Sequence, residues 1–249
     1  MKRFFLYGLV AALMLLNGCT SYDKKIRELE ELIKKLEARV EALEKLVLPP
    51  KPPVQTEAYN VPLDDSPIFG NKDAKVHIIA FSNFQCPYCA RADKALRALL
   101  QDDELKDKIN IVFKNFPFER MPQATPAAKA ALAAGEQGKF WEMSEKIFAH
   151  QGDLGKPDFK EDEYQKWAKE IGLDITKFKK DLAEKGKTED PKGESVYDKM
   201  INRDKKEITE DAPGPVKLEG TPWILVGGWM LEGDISPASI KKMIADKKL

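Results

Sequence analysis

An α/β fold with a block of helices inserted into it follows from three observations along the chain. Val76-His77-Ile78-Ile79-Ala80-Phe81 is a short, apolar, β-branched run, read as a buried strand. It leads through residues 82–85 into Cys86-Pro87-Tyr88-Cys89, after which Cys89, Ala92, Leu96, Leu99 and Leu100 recur at helical spacing. Late in the chain, Trp223-Ile224-Leu225-Val226, Gly227-Gly228 and Trp229-Met230-Leu231 read as a hairpin with a primed turn. Between these, residues 117 to about 206 carry helical periodicity and little strand signal. The candidate helices there are 127–134, 139–150, 161–171, 174–185 and 195–206. Ser236-Pro237 opens a last helix that runs to about Lys247.

The first residues read as a processing signal. Lys2 and Arg3 precede the uncharged apolar stretch from Phe4 to Leu16. That stretch is too short for an ordinary spanning helix, which needs about 20 residues. It ends in Leu16-Asn17-Gly18-Cys19, which resembles the lipobox of bacterial lipoproteins, with Cys19 as the lipidated first residue of the mature chain. Asn17 is an unusual choice in such a box. A conventional cut near Gly18, leaving Cys19 as a free thiol, is the alternative. Two or three acyl chains make a durable anchor at about 0.8 kcal/mol per buried methylene. The domain reading is therefore 1–18 signal peptide, 19–48 lipidated cysteine plus coiled-coil helix, 49–63 proline-rich linker, and 64–249 globular domain with a helical insert at about 117–206.

Residues 23–48 carry a heptad seam. Ile26, Ile33, Val40 and Val47 fall at a, and Leu29, Leu36 and Leu43 at d. β-branched a with Leu at d favours a parallel two-stranded coil. Glu30, Glu37 and Glu44 at e face Lys25 and Arg39 at g, so Lys25 would meet the partner's Glu30 and Arg39 its Glu44. Leu32 and Leu46 at g widen the apolar face, so the expectation is a homodimer with a trimer also open. An amphipathic helix packed on its own domain is the bland alternative. Thr20 and Asp23 have the spacing of a capping box. Pro49, Pro50, Pro52 and Pro53 end the helix and start a stiff extended linker.

The whole chain has 41 basic and 41 acidic residues. That balance implies no nucleic-acid footprint and no steering of acidic substrates. Two of its three cysteines are Cys86 and Cys89. A two-residue gap closes too small a loop to constrain the unfolded chain much, so the pair reads as chemical rather than structural. Zinc would need further ligands, and His77 and His150 are the only histidines. At a strand-to-helix turn, with Pro87 at the first helical position, the Cys86 sulfur lies among unpaired N–H groups at the positive end of the helix dipole. Those groups stabilise a thiolate, which is the nucleophile. Cys86 is thus expected to attack, and Cys89, one turn inward, to resolve. The pair is itself the redox group, so no separate cofactor or metal is expected.

Across residues 64–247 the sequence resembles the DsbA-like thioredoxin-fold proteins. The resemblance rests on Ser66-Pro67-Ile68-Phe69-Gly70, Asp73-Ala74-Lys75-Val76, Phe81 to Cys89, Pro126 to Ala134 with Gly135 to Trp141, and Gly220-Thr221-Pro222. It implies a thioredoxin-like α/β fold with an inserted helical domain, here preceded by the coiled-coil helix. It implies that Pro222 is cis and faces Cys86, with Thr221 offering backbone groups to an extended substrate. Pro87 and Tyr88 complete the active-site turn.

The sequence departs from the family in three places. The buried carboxylate six residues before the first cysteine is Ala80 here. The position often occupied by Asp is Asn83. The stretch from Glu207 to Glu219 reads as a long flap or surface loop. Phe140, Trp141, Ile147 and Phe148 could line a groove, but aromatic residues at helical spacing favour core.

The expected function is thiol–disulfide exchange on cysteines of exported proteins at the periplasmic side of the cell envelope. Unfolded or reduced exported proteins, a membrane redox partner and the lipid bilayer are the expected partners. An oligomeric disulfide isomerase or reductase, and a non-enzymatic coiled-coil chaperone or spacer, are the alternatives.

Overall fold

The computed structural model describes residues 20–47, 55, 57–156, 160, 162–184, 194–210, 220–231 and 233–249, with side chains for 24–40 within the first helix. The chain divides into two compact units, 1–54 and 55–249. The signal segment, Cys19 and the prolines at 49–53 lie outside the described residues.

The first unit contains one long helix, α1 (Thr20–Val47). The side chains of Thr20 and Asp23, read as a capping box, lie outside the described residues. Within the single chain Leu29, Leu32, Ile33, Leu36 and Val40 are 50–57% exposed. The heptad seam therefore lies open to solvent.

The second unit is built on a five-stranded mixed sheet. Its strands are β1 (Ile68–Gly70), β2 (Val76–Ser82), β3 (Ile109–Asn115), β4 (Trp223–Val226) and β5 (Trp229–Met230), in the order β1-β3-β2-β4-β5. β2 and β3 run parallel, from Val76 opposite Ile109 to Ser82 opposite Asn115; the other pairs are antiparallel. The two central strands are covered on both faces, which is why β2 and β3 are almost continuously buried rather than alternating.

On one face, Val76, Ile78, Ala80, Ile109 and Ile111 pack against helix α2 (Pro87–Leu99) and against Ile240 of the last helix. α2 presents Ala92, Leu96 and Leu99 as its buried stripe. Each such leucine contributes about 1.5–3 kcal/mol by leaving water. On the other face, Ile79, Phe81, Val112 and Leu225 meet Val61, Phe116 and Ile208. Of the expected linker, residues 55 and 57–63 are described, and Gln55, Tyr59 and Val61 lie against the sheet. Gln55 Nε2 donates to Gly228 O (2.7 Å), Met230 N donates to Gln55 Oε1 (2.7 Å), and Tyr59 N donates to Gly228 O (2.8 Å). Gly228 has φ +82°, and a Cβ there would sit 2.5 Å from Tyr59 O, so this crossing requires glycine.

The helical insert lies between β3 and β4. It comprises α3 (Ala124–Gly135), α4 (Phe140–Ala149), the single turn α5 (Gln151–Leu154), α6 (Asp162–Glu170), α7 (Ile175–Glu184) and α8 (Val196–Thr209). Seven alanines of α3, at 124, 127, 128, 130, 131, 133 and 134, are fully or almost fully buried. Small side chains let neighbouring helices approach closely, which is the reason an alanine-rich segment can serve as the insert's central element. Phe140, Ile147 and Phe148 are buried beside it and Trp141 is partly buried, so these aromatic and aliphatic side chains are core and not groove. The helix α8 runs three residues past the expected 206. Of the stretch 207–219 expected as flap or loop, 207–209 are therefore helix, and 211–219 lie outside the described residues.

At the end of the sheet, Gly227 and Gly228 both take positive φ (54° and 82°), the primed turn read from the sequence. The last helix, α9 (Pro237–Lys247), is capped by Ser236, whose Oγ accepts from Ser239 N.

Candidate active site

The site forms where β2 gives way to α2. Cys86 is the N-cap residue of α2, in extended conformation (φ −86°, ψ 118°), and Pro87 begins the helix. The sulfur thus occupies the place that a capping oxygen fills elsewhere, near the unpaired N–H groups of the first turn. Cys86 and Cys89 are 6% and 1% exposed, both as free thiols. Tyr88 projects outward, 65% exposed, with the Arg91 guanidinium 4.4 Å from its ring centroid.

The electrostatics separate the two sulfurs. The Cys86 thiol is lowered to about 5, first by a hydrogen bond from Cys89 and further by Thr221 and the N–H groups of Cys89 and Tyr88, against a burial term that raises it. Burial pushes the Cys89 thiol far up, and its hydrogen bond to Cys86 adds to this. One sulfur is therefore poised as thiolate at neutral pH and the other holds its proton.

The cis-proline loop closes the site. The Thr221–Pro222 bond is cis, as the family resemblance implies. In its protonated form Cys86 Sγ donates to Thr221 O at 3.1 Å. So Cys86, Cys89, Thr221 and Pro222 come together, across 135 residues of chain. Pro87 and Tyr88 sit at the same turn.

Where relatives carry carboxylates, this site has neutral groups. Ala80 lies in β2 opposite Phe113. Asn83 is buried, donates from its N–H to Cys89 Sγ (3.3 Å) and accepts from Gln85 N through Oδ1 (2.9 Å). Buried charge lies at the end of β3 instead. Lys114, fully buried, is 2.7 Å from Glu207 Oε2 and 3.6 Å from Asp204 Oδ1, and Asp204 Oδ2 also accepts from Asn115 N. Burial raises Glu207 to about 7 despite Lys114.

Two glutamine side chains also tie the turn to the insert: Gln85, within the motif quoted from the sequence, and Gln151, which the sequence reading did not single out. Gln85 Oε1 accepts from Gln123 N (2.7 Å), its Nε2 donates to Leu154 O (3.3 Å), and Gln151 Nε2 donates to Phe84 O (2.7 Å) and Cys86 O (2.9 Å). Partners 38 to 69 residues apart leave no local pattern by which to find them. Among the described residues there is no cluster of side chains fit to hold a metal, and no helix long and apolar enough to cross a membrane.

Comparison with known proteins agrees with this geometry. The sequence model of the family described as Thioredoxin matches residues 63–246. The Na(+)/H(+) antiporter NhaA 1 of Salinispora arenicola is 33% identical over 168 residues, which cover 66% of this chain and 22% of the antiporter. The chain thus spans under a quarter of that relative's length. The probable disulfide bond formation protein D of Bacillus cereus is 28% identical, over 72% of this chain and 77% of its own. Among solved structures, the thiol-disulfide exchange protein alpha-DsbA2 of Wolbachia pipientis superposes with a TM-score of 0.57 at 20% identity. The superposition covers 73% of this chain and 87% of that one. That likeness is one of fold: a thioredoxin-like sheet with a helical insertion.

Proposed function

The chain belongs to the thioredoxin family, and we propose that it is a thiol–disulfide oxidoreductase of the DsbA-like type whose working centre is Cys86-Pro87-Tyr88-Cys89. The observation that carries this reading is the opposite tuning of the two sulfurs, with Cys86 at the mouth of α2 under Thr221-Pro222 and Cys89 behind it.

In the oxidising direction, a substrate thiolate attacks Sγ of Cys86 in the Cys86–Cys89 disulfide. A mixed disulfide forms, and Cys89 leaves with the electron pair and takes a proton. A second substrate thiolate then attacks the substrate sulfur of the mixed disulfide and expels Cys86 as thiolate. The substrate ends oxidised and the dithiol reduced. Because Cys86 is a stable thiolate, it is the better leaving group and the disulfide is oxidising. The disulfide serves as the redox group without an added cofactor.

The substrates are cysteines of unfolded or reduced exported proteins, laid beside Thr221 as an added strand. Lipidation of Cys19 anchors the chain at the periplasmic side of the cell envelope, and a membrane redox partner resets the centre. The open seam of α1 favours a second reading in parallel: two copies pair through residues 23–48, and the paired catalytic units act as a disulfide isomerase or reductase.

Reactivation of scrambled ribonuclease by the chain from residue 20, beside the chain from residue 54, separates the readings. Reshuffling by the coil-bearing form alone supports the isomerase. Equal oxidation of reduced ribonuclease per active site by both supports the oxidase. Full function in Cys86→Ser would sink both and leave a chaperone or spacer.

A further inference from the structure

We propose that Gln151 is a positioning residue of the redox centre, through which the helical insert sets the acidity of Cys86. This rests on the reading of Cys86 as the attacking thiol. Gln151 stands at the start of the single turn α5, directly after the C-cap of α4. Its Nε2 spends both hydrogens on the active-site turn, one on Phe84 O (2.7 Å) and one on Cys86 O (2.9 Å). These are the carbonyls of the residue two before the thiol and of the thiol residue itself.

The two carbonyls differ in what else holds them. Cys86 O also accepts from Cys89 N (3.0 Å) and Ala90 N (3.2 Å), the first bonds of α2. Phe84 is 1% exposed, and the Gln151 amide is the donor that satisfies its carbonyl. A carbonyl left bare beside a sulfur presents its negative end there and disfavours the thiolate; an N–H bonded to that carbonyl offsets part of this field. The same two bonds fix the angle at which Cys86 enters α2, and hence the alignment of its sulfur with the first-turn N–H groups.

A second glutamine works in the reverse sense. Gln85, inside the turn, reaches out to Gln123 N at the start of α3 and to Leu154 O in α5. Turn and insert are thus joined by reciprocal side-chain–backbone bonds at Phe84, Gln85 and Cys86. Their effect on the thiol comes from position and dipole, since both side chains are uncharged and neither touches the sulfur.

The test is the thiolate absorbance of the full chain against pH, taken as reduced minus oxidised protein so that Cys19 and the tyrosines cancel. Gln151→Met keeps the length and removes the donor. It should raise the Cys86 titration midpoint by about half a unit or more, roughly a threefold lower thiolate fraction on the acid limb. Gln151→Glu should raise it further, because it removes the donor and adds a negative charge once ionised. The equilibrium constant with glutathione should move in step, toward a less oxidising disulfide. Titration curves of both variants that overlay the wild type, with all three proteins folded by circular dichroism, would overturn the proposal. A wild-type thiol that itself titrates in the ordinary cysteine range would overturn both this inference and the reading beneath it.

Discussion

The two units of the chain handle apolar side chains in opposite ways. In the second unit, isoleucine, valine and leucine of β2, β3 and α2 are almost wholly removed from water. In α1 five large apolar residues stand half exposed, on a helix of 28 residues with a heptad pattern. An isolated helix is marginal in water, and most helical stability comes from packing an apolar face, so the order of α1 depends on whatever covers its seam. The dithiol turn and the heptad seam thus lie in two separate compact units.

The sharpest separation is chemical. Cys86→Ser should abolish thiol exchange with glutathione or reduced ribonuclease while leaving the helical signal and the association state unchanged. Residual exchange in that variant would mean Cys89 can attack on its own, against its burial and raised pKa.

Next in size is a change in the core of the second unit. Lys114→Met removes the cation from between Glu207 and Asp204 and leaves these buried carboxyls to Arg203, whose Nη2 is 3.5 Å from Asp204 Oδ1 and whose Nε is 3.7 Å from Glu207 Oε1. The loss should be about 3–5 kcal/mol in urea unfolding at neutral pH. It should shrink as pH falls, because carboxyls whose folded pKa is raised are stabilised in their protonated form. A variant equally deficient at pH 5 would contradict this. The helix α1 should be indifferent to it.

The mirror experiment places charge in the first unit. Ile33→Asp with Leu36→Asp should dissociate the paired chains in sedimentation equilibrium and leave the thermal midpoint of the catalytic unit within a degree or so. A monomeric wild type at micromolar concentration would remove the paired-coil reading altogether.

The pH dependence of the second unit follows from Cys86. Its folded pKa of about 5 lies below the ordinary cysteine value of about 8.5. A depressed pKa contributes stability that is fully present above the unfolded value and is lost as pH falls toward the folded one. The dithiol form should therefore gain on the disulfide form as pH rises from about 5 to about 8.5, measured as the difference in their thermal midpoints. A difference that is flat across that window would contradict the thiolate assignment.

The smallest effect expected is local. Ser236→Ala removes the Oγ that accepts from Ser239 N and should cost about 1 kcal/mol in the catalytic unit alone.

Much of this molecule is determined by its sequence alone. The dithiol turn, the primed glycine turn, the last helix and the helical blocks each depend on residues within a few positions of one another. Pro87 at the start of α2, Gly227-Gly228 in the turn and Ser236 at a cap act through local backbone chemistry that any tertiary context must accept. The heptad seam of α1 is legible for the same reason, being periodic along one helix.

Tertiary structure alone decided the rest. β3 is a buried strand with Asn110, Lys114 and Asn115 inside it, so its polar residues hide it until Glu207 and Asp204 arrive from α8. Gln55 and Tyr59 follow a proline run and read as linker, yet they lie on the sheet because Gly228 and Met230 hold them there. Gln85 and Gln151 look like ordinary polar surface residues in sequence. They join the dithiol turn only because the insert folds back onto it, and a hydrogen bond between residues 38 to 69 apart is specified by the packing that brings them together.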